Sequence, residues 1–317
     1  MPLLLRRLLM VVPTLLLVSF GTFYLVELVP GDPALRVVGE NATVAEYQRV
    51  RGEMGLDEPI VERYVDWVSG AVRGDFGRNL VPPTTEVSTR LASAIPINLQ
   101  LAAMAMAMAL VVSIPLATWS AYRAGGRADR IISASMFGII SVPSFLAGVL
   151  LILAFAITWR IFPLGQWARP SDQGWGQNLS HAFLPALTLA LTEIAVFTRL
   201  LRADMIATLR EDFIRAAHGK GLPTRHILIR EALRPSSFSL VTLAGVSIGR
   251  LIGGTVIVEQ LFSLPGLGQT VVGAARANDF TLVQGGVLVI AVGYILSNLA
   301  VDVLYSYLDP RVRRGHR

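Results

Sequence analysis

From Ile97 to Trp119 the chain reads INLQLAAMAMAMALVVSIPLATW, a run that contains no acidic or basic residue. Wound as a helix rising about 1.5 Å per residue, it is long enough to cross a hydrocarbon core of roughly 30 Å. A helix that is apolar on every side needs an apolar solvent, and a bilayer is one. Outward from it, five more stretches share this character: Leu8 to Val29, Ile131 to Ile157, Phe183 to Leu201, Phe238 to Val258, and Leu282 to Tyr305. Over all 317 residues, 53% are hydrophobic and only 16% charged, with a mean hydropathy of +0.57. These values exceed what a soluble surface tolerates. The expectation is an all-α integral membrane protein with six transmembrane helices and membrane lipids as its solvent.

Basic residues near span ends stay on the cytoplasmic side, so their placement orients the chain. Arg6 and Arg7, then Arg123, Arg127 and Arg130, then the stretch from Arg202 to Arg234, and finally Arg311, Arg313, Arg314 and Arg317 mark alternate connections as internal. Both termini are then expected to be cytoplasmic. The first apolar run follows basic residues as a signal sequence would, but it is longer than a signal core and no small-residue cleavage site ends it, so it reads as a retained anchor. The pI near 10.1 is accounted for by this topology, and nucleic-acid binding is not needed to explain it. Cysteine is absent, which excludes disulfides and thiolate metal sites.

The segment 30–96 follows the first span and carries seven Arg against ten Asp and Glu, which places it outside. Gly31-Asp32-Pro33 is a turn signal, and Thr43-Val44-Ala45-Glu46 fits a capping box. Val44, Tyr47, Val50 and Met54 then form an apolar stripe that Gly55 closes. Pro59 opens a second helix, with Ile60, Tyr64, Trp67, Val68 and Ala71 at helical spacing. Gly74-Asp75-Phe76-Gly77 and Pro82-Pro83 return the chain as loop. The organisation expected is residues 1–29 as N-terminus and first span, 30–96 as a small external helical cap, and 97–317 as a core of five spans with a basic internal loop at 202–237.

Within that loop lies Asp212-Phe-Ile-Arg-Ala-Ala-His-Gly-Lys-Gly-Leu222, a short amphipathic helix followed by a glycine break. Phe213, Ala216 and Ala217 share a helical face, which suits docking into a groove on a cytoplasmic partner. The chain cannot power itself by nucleotide hydrolysis. A P-loop needs Gly-x-x-x-x-Gly-Lys followed by Ser or Thr, and Gly221 follows the single lysine, Lys220. ATP-driven work would have to come from another chain.

Inside the spans, Glu193 and Arg250 are costly unless paired or facing water. Each lies some distance below the outer end of its span, roughly 15 Å for Glu193 and 12 Å for Arg250, so the two can meet. They are read either as a structural pair or as a polar lining for a zwitterionic peptide. Pro143 is expected to kink the third span. Gly245, Gly249 and Gly253 recur every fourth residue, which serves ordinary helix packing or a subunit seam along which substrate passes. Arg199 and Asp302 fall near inner span ends and are read as structural, and Glu27 and Glu259 near outer ends as solvated. His181, His218, His226 and His316 lack metal-ligand spacing, and no nucleophile arrangement is evident.

With loop, topology and cap in view, the chain resembles the inner-membrane permease subunit of bacterial ATP-binding-cassette importers for dipeptides and oligopeptides, in its first-permease or B-type form. The segments that carry the resemblance are Gly31-Asp32-Pro33, Gly55-Leu56-Asp57 with Pro59, Phe262-Ser263-Leu264-Pro265-Gly266-Leu267-Gly268, and Leu308-Asp309-Pro310-Arg311. Arg215-Ala216-Ala217 and Gly221 fall where the family has its ATPase-docking Glu-Ala-Ala and glycine. The family's Leu-Pro pair at the start of span five is replaced by Phe238-Ser239, with the proline earlier at Pro235.

That resemblance implies a type I importer-like fold in the bacterial inner membrane, non-catalytic in this chain. It makes Asp212, Phe213, Arg215, Ala216, Ala217, Gly219, Gly221 and Leu222 the ATPase-coupling element. Glu193, Gly249, Arg250, Gly253 and Glu259 become candidates for the translocation path, with Glu259 before a turn facing the vestibule. It further implies a homologous second permease, two ATP-binding subunits that hold ATP and Mg, an external peptide-binding protein, and short peptides as cargo. No cofactor is expected in this chain. Nickel complexes, glutathione or cell-wall peptides are alternative cargoes. An ion-coupled secondary transporter relaying charge through Glu193 is the rival class, though no inverted repeat is evident. An intramembrane enzyme would need paired acids or a His-rich motif, and neither is seen.

Overall fold

Prolines, glycines and charges divide the chain into helices, and the computed structural model describes residues 3–28, 32–39, 42–53, 55–81 and 84–308 of it. In order these form α1 (Leu3–Glu27), α2 (Pro33–Val38), α3 (Val44–Glu53), α4 (Ile60–Val72), α5 (Val87–Tyr122), α6 (Arg127–Ser141) and α7 (Ser144–Leu151), which runs on as π-helix through Ile152–Thr158. There follow α8 (Pro170–Thr208), α9 (Asp212–Gly219), α10 (Thr224–His226) with π-helix Ile227–Ala232, α11 (Leu233–Gly253), α12 (Val256–Leu261), α13 (Leu267–Arg276) and α14 (Phe280–Leu308). Among the described residues there is no strand, only an isolated bridge between Arg78 and Glu86.

Among the described residues, four helical stretches are long and apolar enough to cross a membrane: α5, α8, Thr224–Gly253 and Phe280–Val301. The third expected span differs from its sequence reading. α6 and α7 meet at 103°, so Pro143 breaks the helix where a kink was expected. Val142, before the proline, is pushed to extended φ −90°, ψ 123°, and Pro143 becomes the N-cap of the next helix. At 15 residues, α6 alone reaches only about 22 Å. α1 runs for 25 residues, and Leu9–Tyr24 is an apolar stretch within it.

The chain forms two compact units. The first comprises Met1–Ile97 with Pro265–Ile295. Val87, Leu91, Ala94, Leu267, Ala274 and Leu282 make its core. A Cβ on Gly285 would come within 2.9 Å of Val87, so α14 and the start of α5 approach at backbone distance. The Asp279 carboxylate accepts the Leu80 amide at 3.1 Å and ties the returning loop to α14.

The capping box forms as read: Glu46 N–H donates to Thr43 Oγ1 at 3.3 Å, and Thr43 N–H to Glu46 Oε2 at 3.2 Å. Asp32 caps α2 by accepting the Ala34 amide, and it also receives the Tyr47 hydroxyl and Arg51 Nη1. Those donors, Tyr47 first, hold its carboxyl below the usual carboxylate range. Ile60, Tyr64, Trp67, Val68 and Ala71 form the less exposed side of α4, as their spacing predicts, whereas Val44 is exposed on α3. Pro30, Gly31, Met54, Pro82, Pro83 and Asp309 to Arg317 lie outside the described residues, as do the side chains of Arg6, Arg7, Glu27 and Asp302.

The second unit comprises Asn98–Leu264 with Leu296–Arg317. α8 is its centre, with α6, α7 and α11 packed on it. Phe197, Leu201, Met205, Ile214, Ile227, Leu240 and Leu251 belong to one buried cluster, so α9 shares its core with the long helices. A Cβ on Gly245 would collide with Val301, and Gly249 is buried too. The glycine stripe is thus largely used up inside this chain, and of the three only Gly253 is partly exposed.

Candidate functional site

The loop after α8 builds a helix with two unlike faces. α9 begins and ends where the sequence suggests, at Asp212 and Gly219. Gly221 then takes φ +75°, a left-handed turn that suits glycine and ends the helix. Ile214 and Ala217, three apart, point inward and keep 1% and 7% of their surface. They join Met205 and the π-helical residues Ile227 and Ala232 in the buried cluster. Phe213 and Ala216, also three apart, face outward, with Phe213 47% exposed. This corrects the sequence reading, which put Phe213, Ala216 and Ala217 on a single docking face. Ala217 anchors the helix, and the missed residue is Ile214, whose i, i+3 relation to Ala217 was the available signal.

The exposed surface is basic. Arg210, Arg215, Lys220, Arg225, Arg230 and Arg234 are all solvent-facing. Arg215 pairs with Asp212 across one turn, but both are open to solvent, so the pair adds little to stability. Gly219 is exposed with open space where a Cβ would be, and Leu222 is partly buried against the cluster, its amide donating to the Ala217 carbonyl at 3.3 Å. Ser236 Oγ donates to Thr208 Oγ1 at 2.8 Å, so the loop is closed at its base. Pro235 sits within α11, in the turn after the π-helix.

Behind α9 lies a clamp that the sequence reading missed. Arg202 of α8 grips Asp129 of α6 with both edges, Nε to Oδ1 at 2.6 Å and Nη2 to Oδ2 at 2.8 Å. Ser120 and the Gly125 amide donate to the same carboxylate, which is buried. One aspartate therefore joins the end of α5, the connecting turn and α6 to α8, ten residues before α9 begins. Asp129 is the acidic residue among Arg123, Arg127 and Arg130, and that isolation was the available clue.

Deeper in the same unit, Glu193 and Arg250 do meet: Arg250 Nη2 lies 2.5 Å from Glu193 Oε1, and Ser247 Oγ donates to Oε2 at 2.8 Å. The pair is asymmetric. Glu193 is 3% exposed at its side chain and Arg250 58%, so a buried carboxylate holds a guanidinium at a rim. Glu259 departs from expectation. It is fully buried, not solvated, and Asn98 Nδ2 donates to it at 2.8 Å while Thr255 adds a hydroxyl. It fastens α12 to α5, and its backbone carbonyl accepts the Leu264 amide just before the Pro265-Gly266 turn. Arg199 lies over the Phe137 ring at 4.3 Å, a structural contact as read. Among the described residues no group of His, Asp or Glu could hold a metal ion.

Comparison with known proteins settles the class. The family model described as "Binding-protein-dependent transport system inner membrane component" matches residues 113–314, and its N-terminal companion matches residues 1–83. The chain belongs to this family. It is a multi-pass inner-membrane protein of the permease type. A protein of Brucella abortus (strain 2308), provisionally named a peptide transport system permease, is 35% identical over 314 residues, with 98% of each chain covered. The dipeptide transport system permease protein of Escherichia coli (strain K12) is 32% identical over 337 residues, again with 98% of each covered. Among solved structures, a chain of the MetNI methionine ABC transporter in inward-facing conformations superposes with a TM-score of 0.54 at 16% identity, covering 69% of this permease and 96% of that chain. That last likeness shows that this permease shares the fold of that transporter chain. The signature Phe262 to Gly268 runs from α12 into α13 in this permease, with Ser263 at φ +53° in the turn.

Proposed function

We propose that this permease is the translocation subunit of an ATP-driven importer of short peptides. In this reading it has six spans, α1 and the broken α6–α7 pair completing the four long helices, and Arg-rich connections facing the cytoplasm. It pairs with a homologous second permease and sits on two ATP-binding subunits that hold ATP and Mg. An external binding protein delivers the cargo. The observation that carries the reading is α9: its inner face, Ile214 and Ala217, is locked into the core of α8, while its outer face, Phe213 and Ala216, is left open amid exposed cations. A force on such a helix passes to the spans without a hinge between. Peptide cargo is supported by the names of two relatives at 35% and 32% identity.

Mechanically, closure of the ATP-binding subunits moves α9, α9 moves the inner end of α8, and the clamp at Arg202 and Asp129 carries α5 and α6 along. Packed cores switch between discrete arrangements, and nucleotide binding supplies the bias. Arg250, held at a rim by Glu193, is the cation available to a peptide carboxylate on the path. A photoreactive residue at Phe213 tests the docking: it should cross-link to an ATP-binding subunit in the assembled complex. No cross-link in a complex that still shows peptide-stimulated ATP hydrolysis would remove α9 from the interface.

A further inference from the structure

α4 carries more apolar surface than an aqueous helical cap needs. Its Ile60, Tyr64, Trp67 and Ala71 side turns toward α1, where Tyr64 packs its ring against Phe20 and Phe23, and Trp67 lies against Phe23. The Tyr64 hydroxyl is 2.8 Å from Ser19 Oγ. A second stripe, Val61, Val65 and Val72, faces away from this packing. Val61, Val65 and Val72 are 64%, 56% and 84% exposed. By helical angle this stripe lies about 180° from Arg63, Asp66 and Gly70, which line a water-accessible cleft of about 760 Å³.

The level at which α4 crosses α1 identifies what covers those valines. Phe20 and Phe23 lie seven and four residues before Glu27, the last residue of α1. At about 1.5 Å per residue they sit roughly 10 and 6 Å inside its outer end. A helix crossing there lies at the boundary of headgroups and acyl chains, the depth at which interfacial amphipathic helices bury about 5–10 Å of apolar face. The exposed apolar side of α1 lies at the same level at Phe20 and Tyr24 and continues deeper at Leu16 and Leu17. Glu62 and Ser69 fall between the valine stripe and the cleft, as the polar edge of such a helix should.

We infer that α4 is an interfacial helix, its Val61, Val65 and Val72 stripe set among the acyl chains of the outer leaflet and its Arg63 and Asp66 side turned to an aqueous cleft. The occupant of the stripe is lipid, and α4 braces α1 against the bilayer surface. This rests on α1 being the first span, as proposed above, and the test separates the two. The natural chain has no cysteine, so single cysteines at Val65, Val61, Glu62 and Leu17 can carry a nitroxide in the full complex in nanodiscs. Accessibility to oxygen and to a water-soluble nickel chelate is then measured at each. The expected result is an oxygen-to-nickel ratio at Val65→Cys and Val61→Cys several-fold above that at Glu62→Cys and below that at the deeper Leu17→Cys. High nickel accessibility at Val65 with a lipid-like Leu17 overturns the inference alone, and so does low accessibility to both reagents, which would mark a protein partner. High nickel accessibility at Leu17 overturns the topology on which it rests.

Discussion

Ala216 and Ala217 are neighbours in sequence and opposites in structure, so one substitution made at each separates folding from coupling. Glutamate at position 217 must place a carboxylate where alanine keeps 7% of its surface, beside an Ile214 that keeps 1%. Burying the unpaired charge costs several kcal/mol. The alternative, lifting α9 off the cluster, forfeits the burial of Ile214, about 2 to 3 kcal/mol. Whichever relaxation is cheaper, Ala217→Glu should lose about 3 kcal/mol, a shift of roughly a hundredfold toward unfolded or unassembled chain. Ala216→Glu adds its carboxylate to an exposed face and should change stability by less than about 0.5 kcal/mol. Thermal unfolding and the yield of assembled complex measure the first effect, and peptide-stimulated ATP hydrolysis at matched abundance measures the second. The expected pattern is scarce, unstable complex from Ala217→Glu, and normal yield with lost stimulation from Ala216→Glu. Equal stability of the two variants would refute the assignment of faces, and full stimulation in Ala216→Glu would refute docking through the outer face.

Three further outcomes follow from named contacts. In a double-mutant cycle, Asp129→Asn and Arg202→Gln should show a coupling of about 2 kcal/mol, because the pair is bidentate and Asp129 is buried; a coupling under about 0.5 kcal/mol would reduce the clamp to a surface pair. Arg250→Ala combined with Glu193→Gln, which leaves no unpaired carboxylate at the buried position, should assemble at near-normal yield yet lower peptide transport at matched abundance relative to Glu193→Gln alone; equal transport by the two in proteoliposomes contradicts the place of Arg250 on the path. Asp32 has a carboxyl held below its ordinary value of 3.8, so its contribution to the cap is present above that value and is lost as pH falls through the lower, folded-state one. Amide exchange in α2 and α3 should therefore quicken as pH drops from about 5 toward 3 beyond the intrinsic trend, and Asp32→Asn should flatten that response; the same profile in both would show that Asp32 does not hold the cap.

Features set by local chemistry were readable from residues alone. The Thr43–Glu46 capping box, the inward stripe of α4 and both ends of α9 depend on residues within one or two turns. The meeting of Glu193 and Arg250 was legible because an unpaired charge in a membrane is expensive and both lay at similar depth. Glu259 was misread because Asn98, its donor, is 161 residues away, and position near a span end says nothing about such a neighbour. The role of Asp129 was hidden for a similar reason: its Arg202 partner was read only as a topological marker. In α9, periodicity offers two faces three residues apart, Phe213 with Ala216 and Ile214 with Ala217, and only the packing of α8 and the π-helix decides which is buried. Pro143 signals a disturbed helix, but the 103° turn depends on Val142 taking an extended conformation.

The central claim is that this permease is a gate moved by separate ATP-binding subunits through α9. The most direct measurement is uptake of labelled dipeptide into proteoliposomes containing the paired permeases and the external binding protein, with and without the ATP-binding subunits and ATP. The account predicts accumulation above the outside concentration only when those subunits and ATP are both present. Accumulation by the permeases without them, under ATP or under an imposed proton gradient, would contradict it.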